Sequence, residues 1–83
     1  MSQGKYLSKH AVEMLQERNI AEDWVWQTVN SPDDLIAGAD GNVHYIKSIA
    51  ENQGRVLRVI VNPSVDPNRV VTVFFDRRLR RKK

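Results

Sequence analysis

Apolar residues recur at helical intervals in the first third of the chain. Ala11 and Leu15 lie four residues apart, so their side chains point to the same side of a helix. Ser8 precedes them and has a hydroxyl that can accept hydrogen bonds from the first free backbone N–H groups. Asn19 tolerates the left-handed backbone conformation that ends many helices. The pattern predicts a helix over residues 9–18.

A second helix is predicted shortly after the first. Val25, Trp26 and Val29 form an apolar stripe at helical spacing. The acidic residues 22–23 precede this stripe, and negative charge is favourable beside the exposed N–H groups at the start of a helix. Residues 30–32, Asn-Ser-Pro, are expected to end the helix.

Beyond the second helix, β-branched and aromatic residues alternate with polar ones, which is typical of strands. Asp40 and Gly41 favour a tight hairpin turn in which both central residues have positive φ, and residues 52–54 favour a second turn. The predicted strands lie at residues 35–37, 43–50, 56–61 and 70–75. We therefore predict an α+β fold in which two N-terminal helices pack on one face of an approximately four-stranded antiparallel sheet.

Length and composition favour one small domain, which we place at residues 1–76. The chain has 83 residues, of which 41% are hydrophobic and 28% are charged, as in ordinary globular proteins. There is no cysteine, which excludes disulfides, thiolate metal sites and a cysteine nucleophile. We find neither a secretion signal nor an apolar run long enough to cross a bilayer. We expect a cytoplasmic protein that uses no cofactor, binds no metal and makes no membrane contact.

Positive charge is concentrated at the C-terminal end. Residues 77–83 contain six of the 13 Lys and Arg residues. Without these six, seven cationic residues face 10 acidic ones, so residues 1–76 carry a net charge of −3. A basic segment of this kind either contacts a polyanion or remains solvated. We expect residues 77–83 to form a flexible tail that attracts nucleic acid.

Several short stretches resemble a small, functionally uncharacterised bacterial domain family. They are Ser8-Lys9-His10-Ala11, Glu17-Arg18-Asn19-Ile20, Glu22-Asp23, the helix stop at residues 30–33 and the closing strand at residues 70–74. The family is related to the RelE/ParE/BrnT-type toxin fold, in which helices pack on an antiparallel sheet. It commonly has an Arg one helical turn after the motif His, where this chain has Met14. That departure removes a cation from the surface that would face a phosphate.

The resemblance implies RNA as a target, since RelE-type toxins cleave mRNA. Cleavage requires a base, an acid and cations that stabilise the charged phosphorane. The candidate catalytic residues are His10, Arg18, Arg58 and His44. His10 and Arg18 fall on nearly one side of the first helix, although both are also explained as exposed surface residues. Arg58 alternates with β-branched residues and therefore needs a partner, either a phosphate or a carboxylate such as Asp76.

Further cations of the sheet and the tail are candidate nucleic-acid contacts. They are Lys47, Arg55, Arg77, Arg78, Arg80, Arg81, Lys82 and Lys83. Binding through them should weaken steeply with salt, because cations on phosphates release counterions.

These residues favour an RNA-directed protein, either a weak endoribonuclease or a non-catalytic RNA-binding relative. The expected partners are RNA or the ribosome, and an antitoxin-like protein. The alternative is a non-enzymatic protein-interaction domain or homodimer whose apolar second sheet face is the binding surface. The sequence leaves open whether the protein is an enzyme.

Overall fold

A computed structural model describes residues 5–65 and 67–79 of the chain. The helices of these residues are α1 (Lys9–Glu17) and α2 (Glu22–Asn30). The strands are β1 (Lys5–Leu7), β2 (Asp34–Ala37), β3 (Val43–Ile49), β4 (Arg55–Asn62) and β5 (Asn68–Phe75). A 3₁₀ turn at Ala50–Asn52 connects β3 to β4. The architecture is α+β, as the sequence predicts.

The first helix begins and ends with the local chemistry expected from the sequence. Ser8 is its N-cap, and the Ser8 hydroxyl accepts a hydrogen bond of 3.0 Å from the backbone N–H of Ala11. Asn19 has a φ of 55°, which is the left-handed conformation predicted to stop the helix. The backbone N–H of Ile20 then donates to the carbonyl of Leu15 at 2.9 Å. α1 is therefore confirmed, with its last residue one position earlier than predicted.

The second helix has the predicted acidic start. Glu22 and Asp23 lie in its first turn, and both accept hydrogen bonds from side chains one turn later. Trp26 Nε1 donates to Glu22 at 3.0 Å, and Gln27 Nε2 donates to Asp23 at 3.2 Å. These pairs add to the favourable position of the two carboxylates beside the free N–H groups of the first turn.

The sheet differs from the prediction in strand number and in strand direction. It has five strands in the order β1-β5-β4-β3-β2. β1 pairs in parallel with β5, with Leu7 opposite Val70, whereas the other neighbouring strands pair antiparallel. The prediction of about four antiparallel strands is wrong because β1 has only three residues, too few to show an alternating pattern.

The loop between β2 and β3 also differs from the predicted turn. Gly41 has a φ of 84°, but Asp40 is not among the described residues with positive φ. The loop is longer than a two-residue turn, since the Gly38 N–H donates to the carbonyl of Asn42 at 2.8 Å. The carboxylate of Asp40 accepts from the Asn42 backbone N–H at 2.9 Å and so shapes the loop from within.

Both helices pack on the same face of the sheet. The buried cluster between them combines helix residues with alternate residues of the central strands: Ala11, Leu15, Ile20, Val25, Val29, Ile49, Leu57, Val59, Val61, Val70 and Val73. We call this the helix face. We call the opposite side of the sheet the open face. It carries the residues that alternate with the helix-face residues along each strand, such as His44 and Arg58. Ile46 and Val56 are also buried on the open face.

The chain leaves β5 beside the start of β4. The Asp76 backbone N–H donates to the carbonyl of Val56 at 2.9 Å, and the Leu79 N–H donates to the carbonyl of Asp76 at 3.2 Å. Residues 77–79 of the predicted basic tail belong to the described chain. The remaining tail residues, Arg80, Arg81, Lys82 and Lys83, lie outside the described residues. Each helix of the described chain has nine residues, and neither has the length and apolar character that crossing a membrane requires.

Candidate nucleic-acid interface

Two of the predicted site residues, His44 and Arg58, meet on the open face. Arg58 lies on β4 opposite Ile46 of β3. His44 is two residues before Ile46 on the same face, so His44 and Arg58 are diagonal neighbours. The guanidinium Nη1 of Arg58 donates to Nδ1 of His44 at 2.7 Å. Arg58 Nε and Nη2 each lie 3.0 Å from Oδ2 of Asp76. Of the two partners that the sequence allowed for Arg58, the structure contains the carboxylate.

This contact fixes the proton on the imidazole of His44. A guanidinium has no acceptor, so Nδ1 must accept the hydrogen bond and the ring proton of neutral His44 lies on Nε2. Nε2 is buried and has no hydrogen-bond partner within the described residues. Asp40 Oδ1 lies 3.5 Å away, which is an electrostatic contact rather than a well-formed hydrogen bond. Neither ring nitrogen of His44 is therefore free to accept a proton from a bound molecule.

Gly38 makes room for this imidazole. A Cβ at position 38 would lie 2.5 Å from Nε2 of His44 and 2.5 Å from Oδ1 of Asp40. A side chain at this position would therefore force the imidazole of His44 and the carboxylate of Asp40 to shift. The backbone N–H of Asn42, together with weaker contributions from His44, holds the pKa of Asp40 below its ordinary value.

Asp76 is the charged centre of the open face. Its side chain is only 2% exposed and accepts from Arg58 and from both the backbone and the guanidinium of Arg78. Burial by itself raises the pKa of Asp76, but the hydrogen bonds from Arg78 and Arg58 outweigh burial and bring the pKa below its ordinary value. Two guanidinium groups thus share one buried carboxylate.

The other two predicted catalytic residues lie on the far side of the sheet. His10 and Arg18 belong to α1 and its C-cap, and α1 packs on the helix face. Both side chains are exposed, and Arg18 Nε donates to the sulfur of Met14 at 3.4 Å. The sheet therefore separates His10 and Arg18 from His44 and Arg58, and the four residues do not surround one phosphate.

Lys47 contacts two residues that precede β2. Its ammonium group donates to the carbonyl of Ser31 at 3.0 Å and lies 3.8 Å from a carboxylate oxygen of Asp33. Lys47 thus links the start of β2 to β3, and its charge is offset locally.

A groove at one end of the sheet brings Arg55 and Arg77 together. Its volume is about 750 Å³. The β3–β4 connection, the start of β4 and the end of β5 supply its lining, which includes Ser48, Gln53, Arg55, Phe75, Arg77 and Leu79. We call this space the groove. Arg55 and Arg77 are exposed, and neither forms an ion pair within residues 5–65 and 67–79.

An aromatic ring supports one of these cations. The guanidinium carbon of Arg55 lies 4.9 Å from the ring centroid of Phe75. Phe75 in turn contacts Trp24 of α2 edge to face, with ring centroids 6.1 Å apart. Phe75 therefore links the exposed guanidinium of Arg55 to Trp24, and both rings pack against the buried core.

Comparison with protein families places most of the chain in a single family. Residues 7–75 match the model of the family described as Domain of unknown function (DUF4258). The chain belongs to the DUF4258 family. No curated protein and no solved structure matches it significantly. The uncharacterised family inferred from the residue motifs is thus confirmed at this level.

This DUF4258 domain has functional candidates that the sequence did not single out. Ser48, Gln53 and Leu79 border the groove, and the Ser48 hydroxyl donates to the carbonyl of Gly54 at 2.8 Å. Gln53 has a φ of 61°, an uncommon conformation for a residue other than glycine. The sequence showed a turn at residues 52–54, but no local signal placed this turn beside the end of β5.

The described residues of the DUF4258 domain contain no cluster of three His, Cys, Asp or Glu side chains that could hold a metal ion. The polar side chains around the groove are instead two guanidinium groups, one amide, one hydroxyl and the carboxylate of Asp76, which is buried and already paired with Arg58 and Arg78. These groups suit anions and hydrogen-bonding rings rather than cations.

Proposed function

We propose that this domain binds RNA without cleaving it, through the groove and the basic segment that follows it. The observation that carries the proposal is the pair of exposed guanidinium groups, Arg55 and Arg77, that border one groove without an ion-pair partner in the described residues. Such groups are available to phosphates. Residues 80–83 add four cations directly after Leu79 in the sequence, which strengthens the attraction for a polyanion.

The resemblance to the RelE/ParE/BrnT-type toxin fold also favours RNA as the target. The domain has two helices on one face of a sheet in which neighbouring strands from β2 to β5 run antiparallel. This is the arrangement that the resemblance implies. Because one fold serves many activities, the proposal rests on the groove rather than on the arrangement of helices and strands.

Binding is better supported than cleavage by the surroundings of His44. A general base must accept a proton from the 2′-hydroxyl that attacks the phosphate. Nδ1 of His44 already accepts from Arg58, and Nε2 is buried. His10 and Arg18 are on the other side of the sheet, where they form no site together with Arg58. The contacts of Arg58 give it a structural role, since it neutralises Asp76.

The edge strand β2 favours a second candidate function, a non-enzymatic protein-interaction domain. All four residues of β2 are exposed, with Leu35 at 57% and Ile36 at 43%. A sheet edge with exposed aliphatic side chains can pair with another strand, including β2 of a second copy. Under this alternative, light scattering would show an assembly, and removal of residues 80–83 would leave its number of copies unchanged.

Fluorescence anisotropy of a labelled single-stranded RNA tests the proposal at several salt concentrations. The variant Arg55→Gln/Arg77→Gln removes two positive charges from the groove, and each phosphate charge that a cation neutralises contributes about 0.7 to the slope of log affinity against log salt for single strands. We expect the slope to fall by about 1.4 in this variant and the affinity at low salt to fall with it. Gel analysis of the same RNA should show no fragments.

The matched control is Lys9→Gln/Arg18→Gln, which removes the same charge from α1 on the helix face. This control should lower the salt slope by much less than the groove variant. Equal losses in the two double variants would refute a role for the groove. RNA fragments that disappear in His44→Ala would refute binding without cleavage.

A further inference from the structure

We propose that the groove receives a single unpaired nucleobase, which stacks on the guanidinium group of Arg55. This inference rests on the proposed RNA binding and adds the part of the RNA that the groove recognises. It begins from the difference between the two exposed arginines that border the groove, Arg55 and Arg77.

Arg55 differs from Arg77 in being supported by a ring. The guanidinium carbon of Arg55 lies 4.9 Å from the ring centroid of Phe75, and Phe75 contacts Trp24 edge to face. Both Arg55 and Phe75 line the groove. A guanidinium group is flat and weakly hydrated, so it stacks on aromatic rings through both of its sides. Arg55 is therefore placed to lie between Phe75 and a second flat ring.

The remaining groove lining suits a heterocycle. A volume of about 750 Å³ is within the range of small-molecule sites. The side-chain amide of Gln53 offers both donors and an acceptor, and the carbonyl of Gly54 is a nearby acceptor that already receives the Ser48 hydroxyl. Leu79 and Val56 supply apolar surface. A ring with hydrogen-bonding edges matches this mixture better than a purely apolar ring.

The charges favour a nucleobase that belongs to a nucleic-acid strand. Arg77 borders the same groove without an ion-pair partner in residues 5–65 and 67–79, so it can bind a phosphate next to the stacked base. Bases in a duplex are already stacked and paired, whereas bases in a single strand are free to turn onto an arginine or aromatic side chain. Since RNA is the proposed target, the occupant is single-stranded RNA, with one base in the groove and its phosphate on Arg77.

Variants that keep the positive charge distinguish base stacking from electrostatic attraction to phosphates. Arg55→Lys retains the cation but loses the flat guanidinium. The matched control is Arg69→Lys, since the guanidinium carbon of Arg69 also lies over a ring, 5.8 Å from the centroid of Tyr6, but Arg69 does not line the groove. We expect Arg55→Lys to bind a single-stranded RNA 12-mer roughly tenfold more weakly, in line with one lost base stack, and Arg69→Lys to change binding less than twofold. Circular dichroism of each variant checks that the domain remains folded.

A 12-mer of the same sugar-phosphate chain without bases provides the second comparison. Arg55→Lys should bind this abasic chain as the unchanged protein does. Equal affinity of the unchanged protein for the abasic and the base-containing 12-mer would overturn base stacking while leaving RNA binding intact. Absence of salt-dependent binding to both oligomers would overturn the proposed function itself.

Nuclear magnetic resonance provides a test that needs no variant. Adenosine monophosphate should shift the signals of the Arg55 side-chain N–H and the Gly54 backbone N–H more than ribose 5-phosphate does, because the two molecules share a sugar and a phosphate but differ in the base. Equal shifts with both molecules would contradict a base in the groove.

Discussion

Asp76 shows most clearly how one residue organises the open face. Its carboxylate is buried and accepts from Arg58 and Arg78, so two strands and the C-terminal segment meet at this side chain. A buried carboxylate without these partners would be strongly unfavourable, and so would a buried guanidinium left without its carboxylate. The contact therefore constrains which conformations the end of β5 can adopt.

Replacement of Asp76 by Asn should destabilise the domain. Asn is similar in size but neutral, which leaves the 14%-exposed Arg58 side chain without a charged partner. We expect a loss of about 3 kcal/mol in the free energy of unfolding at pH 7, measured by urea denaturation followed through tryptophan fluorescence. Glu17→Gln, an exposed change on α1, is the matched control and should change stability by less than about 0.5 kcal/mol.

The effect of Asp76→Asn should also depend on pH. The pKa of Asp76 is lower in the folded protein than its ordinary value of 3.8. The ionised carboxylate therefore stabilises the fold fully above that ordinary value, and this contribution is lost as the pH falls through the lower folded-state pKa. The stability difference between the unchanged protein and Asp76→Asn should shrink below about pH 4. A constant difference down to pH 2 would contradict this role of the charge.

At this scale the sequence identified the chemistry of Arg58 but not its whole environment. It predicted that a cation among β-branched residues needs a partner and named Asp76 as one option. It did not indicate that His44 would accept from the same guanidinium, because strand alternation fixes the side of the sheet only when the register between strands is known. The register with Ile46 opposite Arg58 supplies that information.

Ser8 connects two elements at the start of the fold. Its hydroxyl accepts from the Ala11 N–H and also donates to the carbonyl of Val71 in β5 at 3.1 Å. The same residue thus caps α1 and ties the β1–α1 junction to the strand next to β1. The sequence predicted the cap but not the bond to β5.

Ser8→Ala should therefore cost more than loss of an ordinary helix cap. A cap alone contributes about 1 kcal/mol, and the second hydrogen bond adds about 1 kcal/mol. We expect a total loss of about 2 kcal/mol in the free energy of unfolding, measured by thermal or urea denaturation. The control is Ser64→Ala in an exposed turn, since the Ser64 hydroxyl forms no hydrogen bond within the described residues. A loss equal to that of Ser64→Ala would contradict both contacts.

Over the whole molecule, the C-terminal segment completes the groove. Residues 77–79 follow β5, where Arg78 donates to Asp76 and Leu79 borders the groove together with Arg77. Stability and RNA binding should therefore both depend on these three residues.

Replacement of residues 77–79 by Ser-Gly-Ser within the full chain tests this dependence. We expect a loss of about 1 kcal/mol in the free energy of unfolding, because the buried Asp76 loses the largely exposed Arg78 guanidinium while Arg58 remains. RNA affinity should also fall. The control Arg77→Ser should lower RNA affinity but leave stability within about 0.5 kcal/mol, since Arg77 is exposed and forms no ion pair in the described residues. Unchanged stability after the triple replacement would contradict a structural role for Arg78 and Leu79.

The sequence by itself determined the helices, the helix stop at Asn19, the main strands and the positive C-terminal end. These features depend on neighbours within a turn or on alternation along one strand, so local chemistry is sufficient to predict them. Only the tertiary structure decided that β1 pairs with β5 and that Arg55, Phe75 and Arg77 border one groove. Such contacts join residues far apart in the chain, and they form because the whole chain buries its apolar faces together, which no local pattern records.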